Sequence, residues 1–423
     1  MASSNGTASR IVELAATIST SVAKLQQMLS DRGLASPSFD EEATNNRLPN
    51  EAHDVQDAVL DATAELHDLL LEPWALLFKH AAHNNMVSFQ AISRLGIAAM
   101  VPARGRASFD HIADETGLDV RTLRRLLRHA MTMRVFREPE PDVVAHTSSS
   151  RLLMMPHFND WIGCGSDEIW PASVKMVDAL QRWPGSGEPN QTGFALANNT
   201  TDSIYSVIDA DPARGARFAS AMKAIADSPG YEIDYIIDNY DWASLGPATV
   251  VDIGGSQGHV ALELARRFRS LDVVVQDLGK VVAGADARVP EELKGRVRFV
   301  AHDFFEPQGV EADVYLFRLV LHNWADEYCI RLLRAQIPAL RLGARIVIHE
   351  TLMPEPGAVA VWKERNLRAV DLSMGALFNS RERSVGEWTA LLTQADPRFR
   401  LRHVAEPPGS ALGIIDVCWD GTE

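Results

Sequence analysis

The 423-residue sequence predicts an α/β fold, with a doubly wound parallel sheet in its second half and an N-terminal helical region that carries a winged-helix segment. Three observations predict it. The stretch TVVDIGGSQGHVALELARRF reads as strand, glycine turn and helix. Later apolar runs each close on a polar residue, at Asp277, Asp303, His322 and Glu350. The beginning of the chain repeats its apolar side chains at helical spacing.

Taken in order, Ile11, Leu14, Ile18, Val22, Leu25 and Leu29 form the first stripe, and the polar stretch DRGLASPSFDEEATNNRLPNE interrupts it before more helix. A short helix does not leave such a stripe in water, so a homodimer through the N-terminal helices is expected. From Ser108 the pattern is helix, glycine-containing turn, helix and then a β wing through VVAHTSS. Arg121, Arg124, Arg125 and Arg128 share one face of the second of these helices, as in a DNA-reading helix. Residues 106–142, however, hold seven basic and seven acidic side chains, a neutral balance that favours a solvated or dimer-facing surface and no nucleic acid. The stretch that follows, to about residue 230, is helical and rich in Phe158, Trp161, Trp170, Met176, Phe194, Phe218 and Met222. Most of these suit a core, and a few suit the wall of an aromatic-substrate pocket. From about Tyr235 βα alternation takes over, and it ends in an antiparallel pair, FRLRHVAEP and ALGIIDVCWD.

The glycine turn narrows the ligand. A dinucleotide fingerprint places glycines as G-x-G-x-x-G, whereas here Asp252 precedes Gly254, Gly255 and Gly258 in the pattern D-x-G-G-x-x-G. That pattern suits S-adenosylmethionine better than NAD: with no pyrophosphate to seat on a helix N-terminus, an acid and open backbone beside the amino-acid end are what remain useful. Asp277, 25 residues after Asp252, stands where an acid at the end of the second strand holds ribose hydroxyls, a role common to both cofactors. In open parallel sheets ligands bind beyond the carboxyl ends of the strands, so the polar strand ends converge on one crevice, and the reading is Rossmann-like.

Methyl transfer from a sulfonium to oxygen is an in-line displacement that asks for alignment and, with a phenol, for one base. His322 is the candidate base, and Glu350 and Glu382, the latter at the mouth of the helix SVGEWTALLTQ, are candidates to orient it and stabilise its imidazolium. Each also has a plain structural reading: a strand-end hydrogen bonder for His322, a backbone acceptor for Glu350, a helix-start carboxylate for Glu382. His259, His302 and His349 adjoin motif residues without a defined direction and are read as structural.

Composition sets the outer bounds. The length exceeds one comfortable core, and 46% hydrophobic residues suffice for globular packing. A formal charge of −15, from 41 basic and 56 acidic residues, argues against a general polyanion binder. Cys164, Cys329 and Cys418 are scattered and odd in number, which reads as free thiols in a reducing compartment and no metal site. MASSNGTASR has no apolar core behind a basic start and no run approaches spanning length, so the expectation is a cytoplasmic protein without a membrane segment.

Taken together and in order, VVDIGGSQGH, VVVQDL, AHDFFEP, LFRLVLHNWADEYCIRLLRAQIPAL, ARIVIHETLMPEPG and DLSMGALFNSRERSVGEWTALL resemble the plant-caffeate-type S-adenosylmethionine-dependent O-methyltransferases and their fungal secondary-metabolism relatives. The resemblance covers nearly the whole chain from about residue 75. It implies an N-terminal helical dimerisation region at 1–105, a winged-helix-like subdomain at 106–155, a helical substrate-pocket and linker region at 156–230, and a cofactor-binding methyltransferase domain at 231–423, with a partner subunit helping to close the pocket. It further implies Gly254 at the methionine part of S-adenosylmethionine, Asp277 with Leu278 at the ribose, and Asp303 and Phe304 near adenine. Arg318 stands where the family has a cofactor-contacting lysine, Trp324 lies against the adenine, and His322 is the base flanked by Glu350 and Glu382. The implied substrate is a phenolic or enolic, aromatic or polyketide-like small molecule. Two departures stand out: Asn323 replaces the usual Asp after the base, and Asn379, Ser380 and Arg381 replace a Gly-Gly-Lys or Gly-Lys run before Glu382. Fungal members of this fold also include enzymes that bind the cofactor yet catalyse cyclisation or dehydration, often with the base altered. His322 and both glutamates are present here, so methyl transfer is the expected reaction and a pericyclase-like cyclase or dehydratase the alternative.

Overall fold

The computed structural model describes residues 9–43, 47–80 and 83–421; residues 1–8 of the polar N-terminal stretch lie outside them. The chain forms two compact units, neither contiguous in sequence. The first is drawn from Met1–Pro171, Ile208–Ala224 and Pro356–Asn366, the second from Ala172–Val207, Ile225–Glu355 and Leu367–Glu423. The boundaries at 105, 155 and 230 therefore describe chain order rather than compactness.

In the first unit, helix Arg10–Asp31 packs on helix His53–Leu69, with Arg10 paired to Glu65 at 2.6 Å. Leu14 and Leu29 of the expected stripe are buried, while Ile11 and Val22 are 45% and 46% exposed. Helix Pro73–His80 buries none of its side chains. The winged-helix segment opens with strand β1 (Ala107–Ser108), whose Ser108 caps helix Phe109–Thr116 by accepting from the His111 N–H. Gly117, at φ 70°, ends that helix in the left-handed conformation that a side chain disfavours. Asp119 caps the next helix, Val120–Thr132, and strands β2 (Arg137–Glu140) and β3 (Val143–Ala145) complete a sheet ordered β1-β3-β2. Phe109, Ile112, Leu123, Leu127 and Val144 fill its core. Two of the arginines that suggested a nucleic-acid face are neutralised within the chain: Arg124 meets Asp142 at 2.7 Å and Arg128 meets Glu138 at 2.7 Å. Further on, Gly165–Ile169 is a π-helical turn that buries Glu168, which accepts from Arg214 at 2.7 Å and Arg217 at 3.0 Å.

The second unit is built on seven strands: β4 (Ala248–Ile253), β5 (Leu271–Asp277), β6 (Val297–Ala301), β7 (Ala312–Arg318), β8 (Leu340–Glu350), β9 (Phe399–Ala405) and β10 (Gly413–Trp419). Their order is β6-β5-β4-β7-β8-β10-β9, parallel from β6 to β8, with β10 antiparallel to both its neighbours. The central strands are buried on both faces, as the continuous runs in VVDI and VYLF require of a sheet covered on two sides. After β4 the chain winds outward to β5 and β6, then returns to lay β7 on the other side of β4. The switch point, where ligands of such sheets bind, is thus the gap between the carboxyl ends of β4 and β7. Among the described residues no helix is long and apolar enough to cross a membrane.

Candidate active site

At the end of β4 the backbone clears a space. Gly254, at φ 68°, lies so close to Val320 beyond β7 that an added Cβ would meet its Cγ2 at 3.0 Å. A Cβ on Gly255 would strike the Asp252 carboxylate at 2.5 Å, and one on Gly258 the Phe299 ring at 2.7 Å. The amides of Gly254 and Gly255 both donate to the Gln276 carbonyl, at 2.8 and 3.2 Å, which fixes the turn against β5. Asp252 itself is 3% exposed, and its Oδ2 has no hydrogen-bond partner among the described residues. Burial, reinforced by the charge of Asp277 and opposed by Arg318, pushes its pKa up to about 7.

The other cofactor candidates stand around this turn. Asp277 accepts from the Ser256 N–H at 2.9 Å and the Leu278 N–H at 2.8 Å, so the acid that ends β5 is oriented by the glycine loop. Leu278 is 44% exposed. Asp303 accepts from the Phe305 N–H at 3.0 Å, and the Phe304 and Phe305 rings stand edge-on to Trp324 at 6.1 and 4.8 Å. Arg318 donates to the Tyr231 carbonyl at 2.6 Å, and burial lowers its pKa against the pull of Asp252 and Glu350. His349 is buried with neither ring nitrogen partnered, and burial with the nearby Arg318 charge pushes it down to about 3, leaving it neutral. Tyr205, which no sequence pattern singled out, stacks on Trp324 at 6.3 Å and lies 5.5 Å from Phe378.

His322, Glu350 and Glu382 are brought together. Strand β7 stops at Arg318, four residues before the point the apolar run suggested, because Leu319 turns the backbone at φ 54°. His322 then sits on a 3₁₀ turn, Leu321–Asn323. Its Nδ1 is 2.9 Å from Glu382 Oε1 and 4.0 Å from Glu350 Oε2. Glu350 is held by the Val320 and Leu321 amides, both at 2.8 Å. Burial alone lowers the pKa of His322, but the Glu350 charge and the hydrogen bond and charge of Glu382 outweigh it, and the net shift is upward. Burial raises Glu350, against the His322 charge. Glu382 does not start the helix Val385–Ala395: Ser384 and Glu387 form the capping box there, and the Glu382 amide donates instead to Asp371 at 2.8 Å. Asn323 turns its amide back onto the Leu319 carbonyl at 3.2 Å, across the kink that carries His322. Among the described residues no cluster of three His, Cys, Asp or Glu side chains is set to hold a metal ion.

Known proteins match this chain along its length. The O-methyltransferase domain family matches residues 186–397, and the O-methyltransferase dimerisation domain matches 79–156. O-methyltransferase PaMT of Phomopsis amygdali is 45% identical over 415 residues, 98% of this chain and 97% of that protein. The chlorophenol O-methyltransferase of Trichoderma longibrachiatum is 36% identical over 423 residues, 97% and 91% of the two chains. Among solved structures, OxaC in complex with S-adenosylhomocysteine and oxaline has a TM-score of 0.76 at 22% identity, covering 97% of this chain and 100% of its own. A pericyclic reaction enzyme has a TM-score of 0.73 at 22% identity, over 96% and 99%. At these identities the two structures speak for the fold alone.

Proposed function

The chain belongs to the fungal secondary-metabolism family of S-adenosylmethionine-dependent O-methyltransferases, and from that membership we propose that it methylates a phenolic or enolic hydroxyl of a small aromatic or polyketide-like molecule, with His322 as general base. The observation that carries the proposal is the trio of His322, Glu382 and Glu350 beside the glycine turn, with Nδ1 of the imidazole 2.9 Å from Glu382. With Nδ1 engaged, Nε2 is the nitrogen free to take a proton, and the carboxylates stabilise the imidazolium that results.

The residues at the switch point fit S-adenosylmethionine. Asp252 offers a buried carboxylate oxygen with no partner among the described residues, and the glycines leave a hollow that a Cβ would fill. In this reading Asp252, Gly254, Gly255 and Gly258 hold the amino-acid end of the cofactor, with Arg318 behind them. Asp277 and Leu278 hold the ribose, and Asp303, Phe304 and Trp324 hold the adenine. When bound, the cofactor supplies an electrophilic methyl group. The aromatic surface of Tyr205, Trp324 and Phe378 suits a flat acceptor, and a relative named for chlorophenols supports that class. The dimerisation-domain match supports a homodimer, which we assign to the N-terminal helices. Cyclisation without methyl transfer is not favoured, because the relatives that share 36–45% of the sequence are O-methyltransferases.

The test is incubation with methyl-labelled S-adenosylmethionine and a panel of phenols and aromatic polyketides, chlorophenols included, read by mass spectrometry. Label in the product, with one S-adenosylhomocysteine formed per product, is the expected result. A converted acceptor without label or S-adenosylhomocysteine would overturn the proposal.

A further inference from the structure

We infer that Ser380 and Arg383 are positioning residues that staple the turn carrying His322 to the segment carrying Glu382, so that two groups 60 residues apart in sequence keep one geometry. The inference deepens the reading of His322 as base and rests on it.

The contacts converge on one short stretch of backbone. A 3₁₀ turn as brief as Leu321–Asn323 leaves most of its carbonyls without partners inside the turn. Ser380 Oγ lies 2.6 Å from the His322 carbonyl and 2.8 Å from that of Trp324, so one hydroxyl proton is shared between the residue that bears the imidazole and the end of its turn. Arg383 is fully buried and donates to the Trp324 carbonyl at 2.8 Å and the Leu321 carbonyl at 3.4 Å. Its Nε goes to Asp326 at 2.8 Å, at the start of the helix that follows the turn. The Cys329 thiol adds a weaker donor to the same Leu321 and Trp324 carbonyls, at 3.2 and 3.3 Å. The Leu321, His322 and Trp324 carbonyls are therefore each held by Ser380 or Arg383, residues within two positions of Glu382.

Burying a guanidinium is costly unless its donors are well used. A core ion pair with Asp326 alone would need only part of the fork; the other donors reach the Leu321 and Trp324 carbonyls of the His322 turn and, at 3.4 Å, the Arg381 carbonyl of its own segment. Ser380 carries the more specific message, because a glycine at that position has no hydroxyl to offer. It follows Asn379, which takes φ 58° in the left-handed region and donates to the Glu188 carbonyl at 3.2 Å, so the backbone turns there and delivers the Ser380 hydroxyl to the His322 turn.

His322 is faced by Glu350 from the end of β8 and by Glu382 and Arg383 from the stapling segment. Behind Glu382 stand Asp371, which accepts from its amide, and Tyr231, whose hydroxyl feels its charge. Loosening the staple should move the imidazole away from Glu382 and lower its protonation midpoint, since that carboxylate is one of the groups that raise it.

The experiment uses the full-length protein with Ser380→Gly, Ser380→Ala, Ser380→Thr and Arg383→Lys, the last retaining charge but not the planar fork. The His322 midpoint is read by NMR of histidine labelled at Cε1 with carbon-13, assigned by the signal lost in His322→Gln. S-adenosylhomocysteine affinity is read by calorimetry, and turnover is followed with S-adenosylmethionine and 2,4,6-trichlorophenol. In the glycine, alanine and lysine variants the midpoint should fall by roughly half a unit or more. Where the phenol is turned over, kcat should fall roughly tenfold or more with KM and cofactor affinity nearly unchanged, the mark of a misplaced group rather than a lost binding contact. Ser380→Thr, which restores a hydroxyl, should recover most of both. Wild-type midpoints in the glycine, alanine and lysine variants would overturn the inference, as would cofactor affinity falling in step with kcat. If His322→Ala leaves turnover intact, the base reading fails by itself, and the midpoints alone then decide whether Ser380 and Arg383 position the imidazole.

Discussion

His322 gathers opposing influences whose net effect on protonation sets the expected pH dependence. The base must be neutral to accept a proton, and its pKa is raised above the ordinary 6.5, so kcat should fall on acidification through a midpoint above that value. Glu382→Gln removes a charge that raises the midpoint, so in that variant the acid limb should move to lower pH; an unmoved limb would detach Glu382 from the base. His322→Ala should lower turnover by roughly 10²–10⁴ and leave S-adenosylhomocysteine binding nearly as it was, since the imidazole pairs with Glu382 and Glu350 and not with the residues assigned to the cofactor. Asp252 supports a second expectation. With its pKa pushed up to about 7, it is largely protonated in the free protein at pH 6, and a cationic ammonium bound beside it would favour the ionised form. Binding of S-adenosylhomocysteine at pH 6 should then release a proton, giving a calorimetric enthalpy that depends on the ionisation heat of the buffer. Asp252→Asn should abolish that dependence, and its persistence in the variant would place the proton elsewhere. Asp252 and His322 were legible in the sequence because each stands toward the end of an apolar run, whereas Glu382 was read from the mouth of the helix after it. The staple was not, since Ser380 and Arg383 act on carbonyls 56 to 62 residues away and carry no local pattern.

At the scale of elements, the strand–turn–helix at β4 was the plainest signal, since β-branched residues, an acid and glycines follow one another without interruption. Its steric reason appears only in three dimensions: Gly255 has to be glycine because the side chain of Asp252 and Cγ1 of Val275, the latter 2.9 Å from where a Cβ would lie, already occupy the space. Gly255→Ala should therefore displace the carboxylate and weaken S-adenosylhomocysteine binding by roughly 1–3 kcal/mol, the cost of disturbing a buried charged partner. Gly386→Ala, where a Cβ would meet nothing closer than 3.9 Å, is the matched control and should bind as the parent does. Equal affinities for both variants and the parent would show that the turn does not bear on the ligand. Element ends were harder to read than element types. The run through DVYLFRLVLHNW continues apolar past Arg318, yet the strand breaks there, because Asn323 and the Leu319 kink divert the backbone by a contact that hydrophobic periodicity cannot register. The π-helical turn at Gly165–Ile169 was equally silent, since the partners of its buried Glu168, Arg214 and Arg217, lie more than forty residues on.

At the scale of the whole molecule the open question is how two copies meet. The sequence pointed to residues 11–29, but part of that stripe is spent on the intrachain partner helix His53–Leu69, and the larger apolar surface lies further on. Helix Pro73–His80 exposes Trp74 at 75%, Leu77 at 69% and Phe78 at 70%, three residues on one face at helical spacing. Its last two residues, Lys79 and His80, overlap the start of the match to the dimerisation domain, which begins at residue 79. Water is a poor neighbour for such a face: covering a Leu or Phe is worth about 1.5–3 kcal/mol each, and a two-fold axis counts every contact twice. Losing one such side chain per copy should therefore remove about 3–6 kcal/mol from the dimer, or a factor of roughly 10²–10⁴ in its dissociation constant. Phe78→Glu should accordingly sediment as a monomer at a micromolar concentration at which the parent is a dimer. Leu342→Glu provides the contrast, because Leu342 is 73% exposed but belongs to β8 in the other compact unit. If Phe78→Glu and the parent sediment alike, helix Pro73–His80 is not the seat of the dimer, and if the parent itself is a monomer at micromolar concentration, the homodimer falls with it.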